Sequence, residues 1–343
     1  MTQQTQSDER EAEEPVVEEP RLWWQKLVAG SNTWIGLILI GLILVFSIIK
    51  PADFFSVANG RNIATDAAVL LVIATGLTYV IITAGIDLSV GSVLVFSGVI
   101  SAKVMSAVGG NNWGVMLIGL VAALLAGLAW GMLNGFLVSK AKIPPFIVTL
   151  GTFGMALGAA LLITGGVDER EVPFKLITTI GTGRLAGQIP WLVVIAAVVC
   201  VVFGVILAST RFGRYTYAIG SNQEGVRRAG VNVDAHLIKV YALGGTLAGL
   251  AGYLSLARFG TTTVAGHTTD NLNAIAAIVI GGTSLFGGVG TILGTVFGVF
   301  IPAVLQNGFV IVGVQAFWQQ VAVGAVLIIA VYFDQLRRAR QRQ

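Results

Sequence analysis

Long apolar runs separated by short polar punctuation set the pattern of this chain. Residues 33–49 form the first run, approached through Trp23, Trp24 and Lys26. Tryptophan and lysine at such an approach suit a membrane–water interface, where an apolar body and a polar tip are both accommodated. Residues 62–108 follow with few charges. As one helix at 1.5 Å per residue they would reach ~70 Å, more than twice the ~30 Å of a hydrocarbon core. The natural break is Gly85-Ile86-Asp87-Leu88-Ser89-Val90-Gly91, which divides the run into spans at about 64–84 and 90–108. Further runs lie at 113–139, 145–165, 190–208, 240–257, 272–286, 290–306 and 316–333. The pattern predicts an all-α polytopic membrane protein of about ten transmembrane helices, of which 272–286 and 290–306 are short and Gly-rich.

Composition agrees with this reading and excludes an ordinary soluble domain. Of 343 residues, 55% are hydrophobic and 11% charged, against about 25% charged in soluble domains. Cys200 is the single cysteine and lies in an apolar run, so a disulfide within the chain and a cysteine metal site are both excluded. Residues 1–20 carry seven Asp/Glu against Arg10, which is the opposite of a secretory signal. They lack the apolar residues for a core and are read as a disordered acidic tail, with 21–343 as the membrane domain.

Beyond that tail, twenty Lys/Arg outnumber ten Asp/Glu. The surplus reads as membrane topology and not as nucleic-acid binding. With the amino terminus in the cytoplasm and sides alternating, thirteen basic residues fall at inner ends: Arg21, Lys26, Lys140, Lys142, Arg211, Arg214, Arg227, Arg228, Lys239 and the terminal Arg337, Arg338, Arg340 and Arg342. Seven fall at outer ends. That bias orients the chain, and an even span count puts both termini in the cytoplasm.

Glycine ladders mark faces where helices approach closely. Gly127, Gly131 and Gly135 recur at four-residue steps, as do Gly290, Gly294 and Gly298. Gly154/Gly158 and Gly245/Gly249 add single steps. The segments Gly85–Gly91 and Gly281–Gly287 are loosely alike, over too short a stretch to define a repeat.

Catalytic and energy-converting motifs are missing. No G-x-x-x-x-G-K-[ST] occurs, and Gly281-Gly282-Thr283-Ser284-Leu285-Phe286-Gly287-Gly288 lacks the lysine a phosphate-cradling loop needs. His236 and His267 sit far apart, without a ligand cluster. Asp87 is the one acidic candidate at a mid-membrane break. There it suits a cap for the N–H groups of the next helix, a role Ser89 shares, and a polar gate or substrate contact beside a cavity, two roles that are compatible. The basic segment 209–238 contains Ser221 and Glu224 at capping-box spacing and Gly230 as a stop, which predicts a short helix over 222–229. A sharply bounded helix in a basic loop is suited to docking another subunit, and a proline at Glu224 is expected to disrupt it.

Four segments carry a family resemblance. Ile82-Thr83-Ala84-Gly85-Ile86-Asp87-Leu88-Ser89-Val90-Gly91-Ser92, Pro145-Phe146-Ile147-Val148-Thr149-Leu150-Gly151, Gly213-Arg214-Tyr215 through Gly230-Val231-Asn232-Val233, and Ala274 through Leu285 resemble monosaccharide permeases of ATP-binding-cassette importers, of the ribose, xylose, arabinose and galactose type. The resemblance spans about residues 55–335. It implies a permease subunit in the bacterial plasma (inner) membrane that is not itself an enzyme. It implies a cytoplasmic ATP-binding subunit that holds ATP and Mg, an external or periplasmic sugar-binding protein, and a second permease copy. By resemblance, Ser221, Asn222, Gln223, Glu224, Gly225, Val226, Arg227 and Arg228 form the coupling segment to the ATPase. This chain has Gly225-Val226 where the family usually shows small alanines after the acidic residue. Asp87, Ser89, Thr149, Thr152, Asn273, Thr283 and Ser284, polar residues in or near the helix breaks, are the expected pore or substrate-path residues. The rival reading is an ion-coupled secondary sugar carrier with Asp87 as the coupling group. A membrane enzyme or scaffold is a third class, without a catalytic cluster to act through.

Overall fold

The structure is a computed structural model that describes residues 31–263, 266–267 and 269–315, with isolated positions beyond. The acidic segment 1–20, Trp23 and Trp24, the carboxy-terminal arginines and most of the run 316–333 lie outside the described residues.

The helices are α1 (Ser31–Ile49), α2 (Pro51–Phe54), α3 (Val57–Ile82), α4 (Val90–Val108), α5 (Trp113–Ser139), α6 (Pro145–Thr164), α7 (Phe174–Leu176), α8 (Trp191–Ser209), α9 (Arg211–Ser221), α10 (Gln223–Arg228), α11 (Val233–Phe259), α12 (Asp270–Ile280) and α13 (Ile292–Val312). A π-helical turn, Ile177–Gly181, and a two-residue hairpin pairing Arg184 with Pro190 and Leu185 with Ile189 lie between α7 and α8. Among the described residues seven helices are long and apolar enough to cross a membrane: α3, α4, α5, α6, α8, α11 and α13. The apolar part of α1 and the whole of α12 are shorter. The run expected as a helix over 272–286 stops at Ile280, because Gly281 and Gly282, the latter at φ 83°, turn the backbone out of the helix.

Helices α3 and α11 form the centre and are buried along most of their length, with α4 beside them. Helices α5, α6 and α8 face outward on the rim, exposing large apolar side chains such as Leu125, Phe146, Leu162 and Val201. In water such a surface would be costly, whereas against lipid tails it is neutral. Among the described residues the most extensive helix contact is α5 on α11. A Cβ on Gly127 would overlap the carbonyl oxygen of Gly245, one on Gly131 would overlap that of Tyr241, and one on Gly135 would lie 2.7 Å from the Ile238 α-carbon. The two glycine ladders read from the sequence therefore pack face to face. Gly298 meets the Ala277 carbonyl and Gly294 meets Gly281 in the same manner, which locks α13 onto α12. Gly154 and Gly158 differ: nothing in the described structure lies within 4 Å of a Cβ there, so their face on α6 is open.

Candidate functional site

The backbone leaves the α-helical path between Ile82 and Val90, and side chains on α5, α6 and α12 help to hold it. Thr83 Oγ1 donates to the Val80 carbonyl at 2.7 Å, closing the end of α3. Asp87 is buried, and its Oδ1 accepts from the Ser89 N–H at 2.8 Å and from the Ser89 hydroxyl at 2.6 Å. Asn134 on α5 donates to the same hydroxyl at 2.8 Å. Thr149 on α6 shares its hydroxyl proton between the Pro145 carbonyl of its own helix at 2.9 Å and the Ile86 carbonyl at 3.2 Å, and Asn271 on α12 donates to the Leu88 carbonyl at 3.0 Å. An unpaired backbone carbonyl in hydrocarbon costs several kcal/mol, so a break at membrane depth persists only when protein groups replace the lost helical bonds. Of the expected caps, Asp87 caps its own turn through the Ser89 N–H. Ser89 makes no side-chain bond to the first turn of α4, because its hydroxyl is committed to Asp87 and Asn134.

A second irregular segment, Gly281–Thr291, lies against the first. The N–H of Gly288 donates to the Ile82 carbonyl at 2.9 Å. Inside this segment Ser284 N donates to Val289 O at 3.0 Å, and the Ser284 hydroxyl accepts from the Phe286 N–H at 3.1 Å. Thr283 is buried beside Gly290, and its hydroxyl has no partner among the described residues. The two stretches that look loosely alike in the sequence are thus joined in space. Thr78 and Thr295, whose hydroxyls lie 2.8 Å apart, tie α3 to α13 just beside the junction.

The basic segment 209–238 is mostly helical, not a loop. Thr210 caps α9 by accepting from the Gly213 N–H at 3.3 Å. Tyr217 on α9 donates to the Gly290 carbonyl at 2.7 Å, and Thr216 sits 2.9 Å from His236 Nε2. The short helix expected over 222–229 is α10, Gln223–Arg228, and its cap is Asn222, whose Oδ1 accepts from the Gly225 N–H at 2.8 Å. This corrects the capping box. Ser221 is the last residue of α9, and Glu224 pairs with Arg228 one turn on, at 3.2 Å, instead of reaching back. Gly230 ends the helix as expected, at φ 84°. No residue of α10 is buried. Asp234, at the start of α11, gathers Lys142 at 2.9 Å, Arg227 at 3.0 Å and Lys140 at 3.3 Å, which ties α10 to the α5–α6 connection.

At the opposite end, α3, α11, α12 and α13 enclose a cavity of about 410 Å³. Asp66, Arg258, Asp270, Asn273, Gln306 and Asn307 supply its polar lining and Phe259 an aromatic face. Arg258 pairs with Asp66 and donates to the Thr65 carbonyl at 3.0 Å. His267 bridges two helices there, with Nδ1 2.7 Å from Asp270 and Nε2 2.7 Å from Ser255. Beside this end, Lys103 pairs with Glu169 and holds its carboxyl below the usual range.

Of the residues expected along a path, only Asn273 lines this cavity. Asp87, Ser89 and Thr149 come together at the first break, Thr283 and Ser284 lie in the second, and Thr152 bonds within its own helix to the Val148 carbonyl at 3.1 Å. Sequence reasoning missed Asn134, Asn271, Tyr217 and Asp234. Asn134 carried a signal, as a lone amide in an apolar run beside Gly135. Tyr217 carried none, since its partner Gly290 is distant in the chain, and neither did the gathering of Lys140 and Lys142 by Asp234.

A bundle of apolar helices with two joined breaks at its core and a polar helical hairpin at one end is the architecture of a multi-pass helical membrane protein. Comparison with known proteins makes the assignment specific. The family model described as branched-chain amino acid transport system / permease component matches residues 60–331, and the chain belongs to that family. It is 37% identical to the ribose import permease protein of Haemophilus influenzae over 315 residues, covering 90% of this chain and 94% of that one. It is 34% identical to the fructose import permease protein of Rhizobium meliloti over 319 residues, covering 91% and 87%. It is also 34% identical to the D-allose transport system permease protein of Escherichia coli over 301 residues, covering 87% and 90%. No solved structure matches the chain.

Proposed function

We propose that this chain is the permease subunit of an ATP-driven importer and forms the membrane pathway for a monosaccharide or similar neutral polyol. The observation that carries the reading is the near full-length similarity to permeases named for ribose, fructose and allose. ATP and Mg belong to a separate cytoplasmic subunit, and α10 is where that subunit docks. The helix is capped by Asn222, exposed except at half-buried Val226, and braced from behind by Asp234. The basic cluster of Lys140, Lys142, Arg227 and Arg228 supports placing this end in the cytoplasm. Ten spans in the bacterial inner membrane, both termini cytoplasmic, complete the topology, with 316–333 as the last span. A second copy of the chain completes the pore, and an external sugar-binding protein delivers solute to the opposite end, where Asn273, Asp270, Gln306 and Asn307 offer both donors and acceptors to hydroxyl groups. Asp87 is engaged by Ser89 and is not part of the cavity lining, which favours this reading over an ion-coupled carrier.

The test is reconstitution with the ATP-binding subunit and the binding protein in liposomes. Sugar should stimulate ATP hydrolysis and accumulate inside. Uptake driven by an ion gradient without the ATPase would overturn the proposal. The docking assignment needs a proline inside α10. Glu224 lies in the first turn, where no helical N–H bond is lost to proline, so Glu224→Pro is a weak probe. Val226 N donates to the Asn222 carbonyl at 3.1 Å. Val226→Pro removes that bond and should abolish capture of the ATPase, with membrane insertion unchanged.

A further inference from the structure

We infer that α9 is a lever whose tip, Gly220, drives both helix breaks as one rigid body, so that a displacement of α10 reaches Ile82–Ser89 and Gly281–Thr291 together. The inference rests on the docking of an ATPase at α10. Gly220 is the penultimate residue of α9, two residues before the Asn222 cap. A Cβ there would overlap the Ile82 carbonyl oxygen and lie 2.6 Å from the Gly288 nitrogen. Those two atoms are the acceptor and donor of the single backbone hydrogen bond that joins the breaks. The α-carbon of the lever thus sits directly on the joint.

Contacts around it leave no slack. A Cβ on Gly287 would lie 2.9 Å from the Ala84 nitrogen and 2.9 Å from the Gly220 carbonyl oxygen. One on Gly290 would lie 3.0 Å from the Ile82 side chain. One turn before Gly220, Tyr217 donates to the Gly290 carbonyl. Backbone touching backbone transmits displacement without the give of a rotatable side chain, and close-packed interiors are stiff. The first break is in turn bonded to α5, α6 and α12 through Asn134, Thr149 and Asn271. Motion of the joint therefore reaches α12, which walls the cavity, as well as the rim helices α5 and α6. Gly220 acts through these neighbours and is a positioning residue.

Two variants test this in the reconstituted complex. In Gly220→Ala the added methyl pries the lever off the joint. Capture of the ATP-binding subunit and its basal hydrolysis should persist, while sugar taken up per ATP hydrolysed falls at least tenfold. An unchanged ratio would overturn the inference. Loss of ATPase capture in Gly220→Ala would likewise overturn it, by showing that the glycine shapes the docking surface. Intact capture in Val226→Pro would instead sink the docking reading on its own.

The second variant pairs Ser221→Cys with Gly288→Cys in a Cys200→Ser background. A Cβ on Gly288 would lie 3.4 Å from that of Ser221, close to disulfide geometry. A rigid joint predicts equal transport in the oxidised and reduced forms of this one protein. Transport that appears only on reduction would show that α9 and the second break must separate, and would overturn the inference. Should the strained cysteine at 288 silence both forms, the Gly220→Ala ratio decides alone.

Discussion

Asn134 on α5 donates to the Ser89 hydroxyl at 2.8 Å, and that hydroxyl in turn donates to Asp87 Oδ1 at 2.6 Å, so one amide sets the direction of the hydrogen bonds at the first break. The Asp87 carboxylate serves as an acceptor of two bonds from a single residue. Asp87→Asn keeps an acceptor oxygen, whereas Asp87→Ala leaves the Ser89 N–H unpaired in a buried site. Alanine should destabilise the folded protein by about 1–3 kcal/mol, and asparagine by clearly less. Thermal unfolding in detergent reads the difference. Equal losses would show that the charge matters at this break and the acceptor geometry does not.

The α5–α11 contact depends on the absence of side chains. Gly131→Leu would drive a four-carbon group into the Tyr241 carbonyl and the Ala242 α-carbon. Overpacking typically costs about 1–3 kcal/mol, and backbone contact puts this case at or above the top of that range. Gly154→Leu enters open space on α6 and should leave the folded monomer intact. Size-exclusion profiles in detergent should separate the pair, with aggregation confined to Gly131→Leu.

Asp234 holds three cations that would otherwise face one another. Each pair is partly exposed and worth about 0.2–1 kcal/mol, so Asp234→Ala should loosen α10 by about 1 kcal/mol in all. Hydrogen exchange over 223–228 is then expected to quicken several-fold. Adding Lys142→Ala removes part of the repulsion and should slow exchange again. No response in that segment would mean that α10 is held by its Asn222 cap and the packing of Val226 instead.

Glu169 provides a pH-dependent strap. Lys103 holds its carboxyl below the usual range, so the pair stabilises the folded state above the unfolded Glu value of about 4.3 and loses that contribution as pH falls through the lower folded value. Lys103 is substantially exposed, which keeps the effect within about 1 kcal/mol. At pH 7, Glu169→Gln should unfold at a slightly lower temperature than the unaltered chain. The gap should close progressively below pH 4. A gap that is constant from pH 7 to pH 3 would exclude the ion pair as its source.

Much of the fold was legible in advance because hydrocarbon imposes a one-dimensional rule. A run of about twenty apolar residues is a span, and the observed helices at 31–49, 90–108, 113–139, 145–164 and 191–209 follow the runs within a few residues. The break at Gly85–Gly91 was legible for the same reason, since no bilayer accommodates the undivided run. Local chemistry was less legible. Ser221 and Glu224 have capping-box spacing, yet Asn222 takes the cap, because Gly220 is pinned against Ile82 and Gly288 and α9 therefore runs on through Ser221. The Gly154/Gly158 step looked like the other glycine ladders, and only the placement of α6 on the rim left it without a neighbour.

The sequence by itself determined that this is an apolar, helical, multi-spanning chain, where its first break falls, and that a short capped helix lies in its basic segment. Those properties depend on length, hydropathy and turn chemistry, which act over a few residues. Tertiary structure alone decided that the two Gly-rich breaks join through Ile82 and Gly288, that Gly220 rests on that bond, and that Asp234 braces α10. Each of these pairs residues far apart in the chain, or on different helices. No periodicity records such contacts, because they exist only once the helices have packed, and at Gly220 only because glycine lets backbones touch.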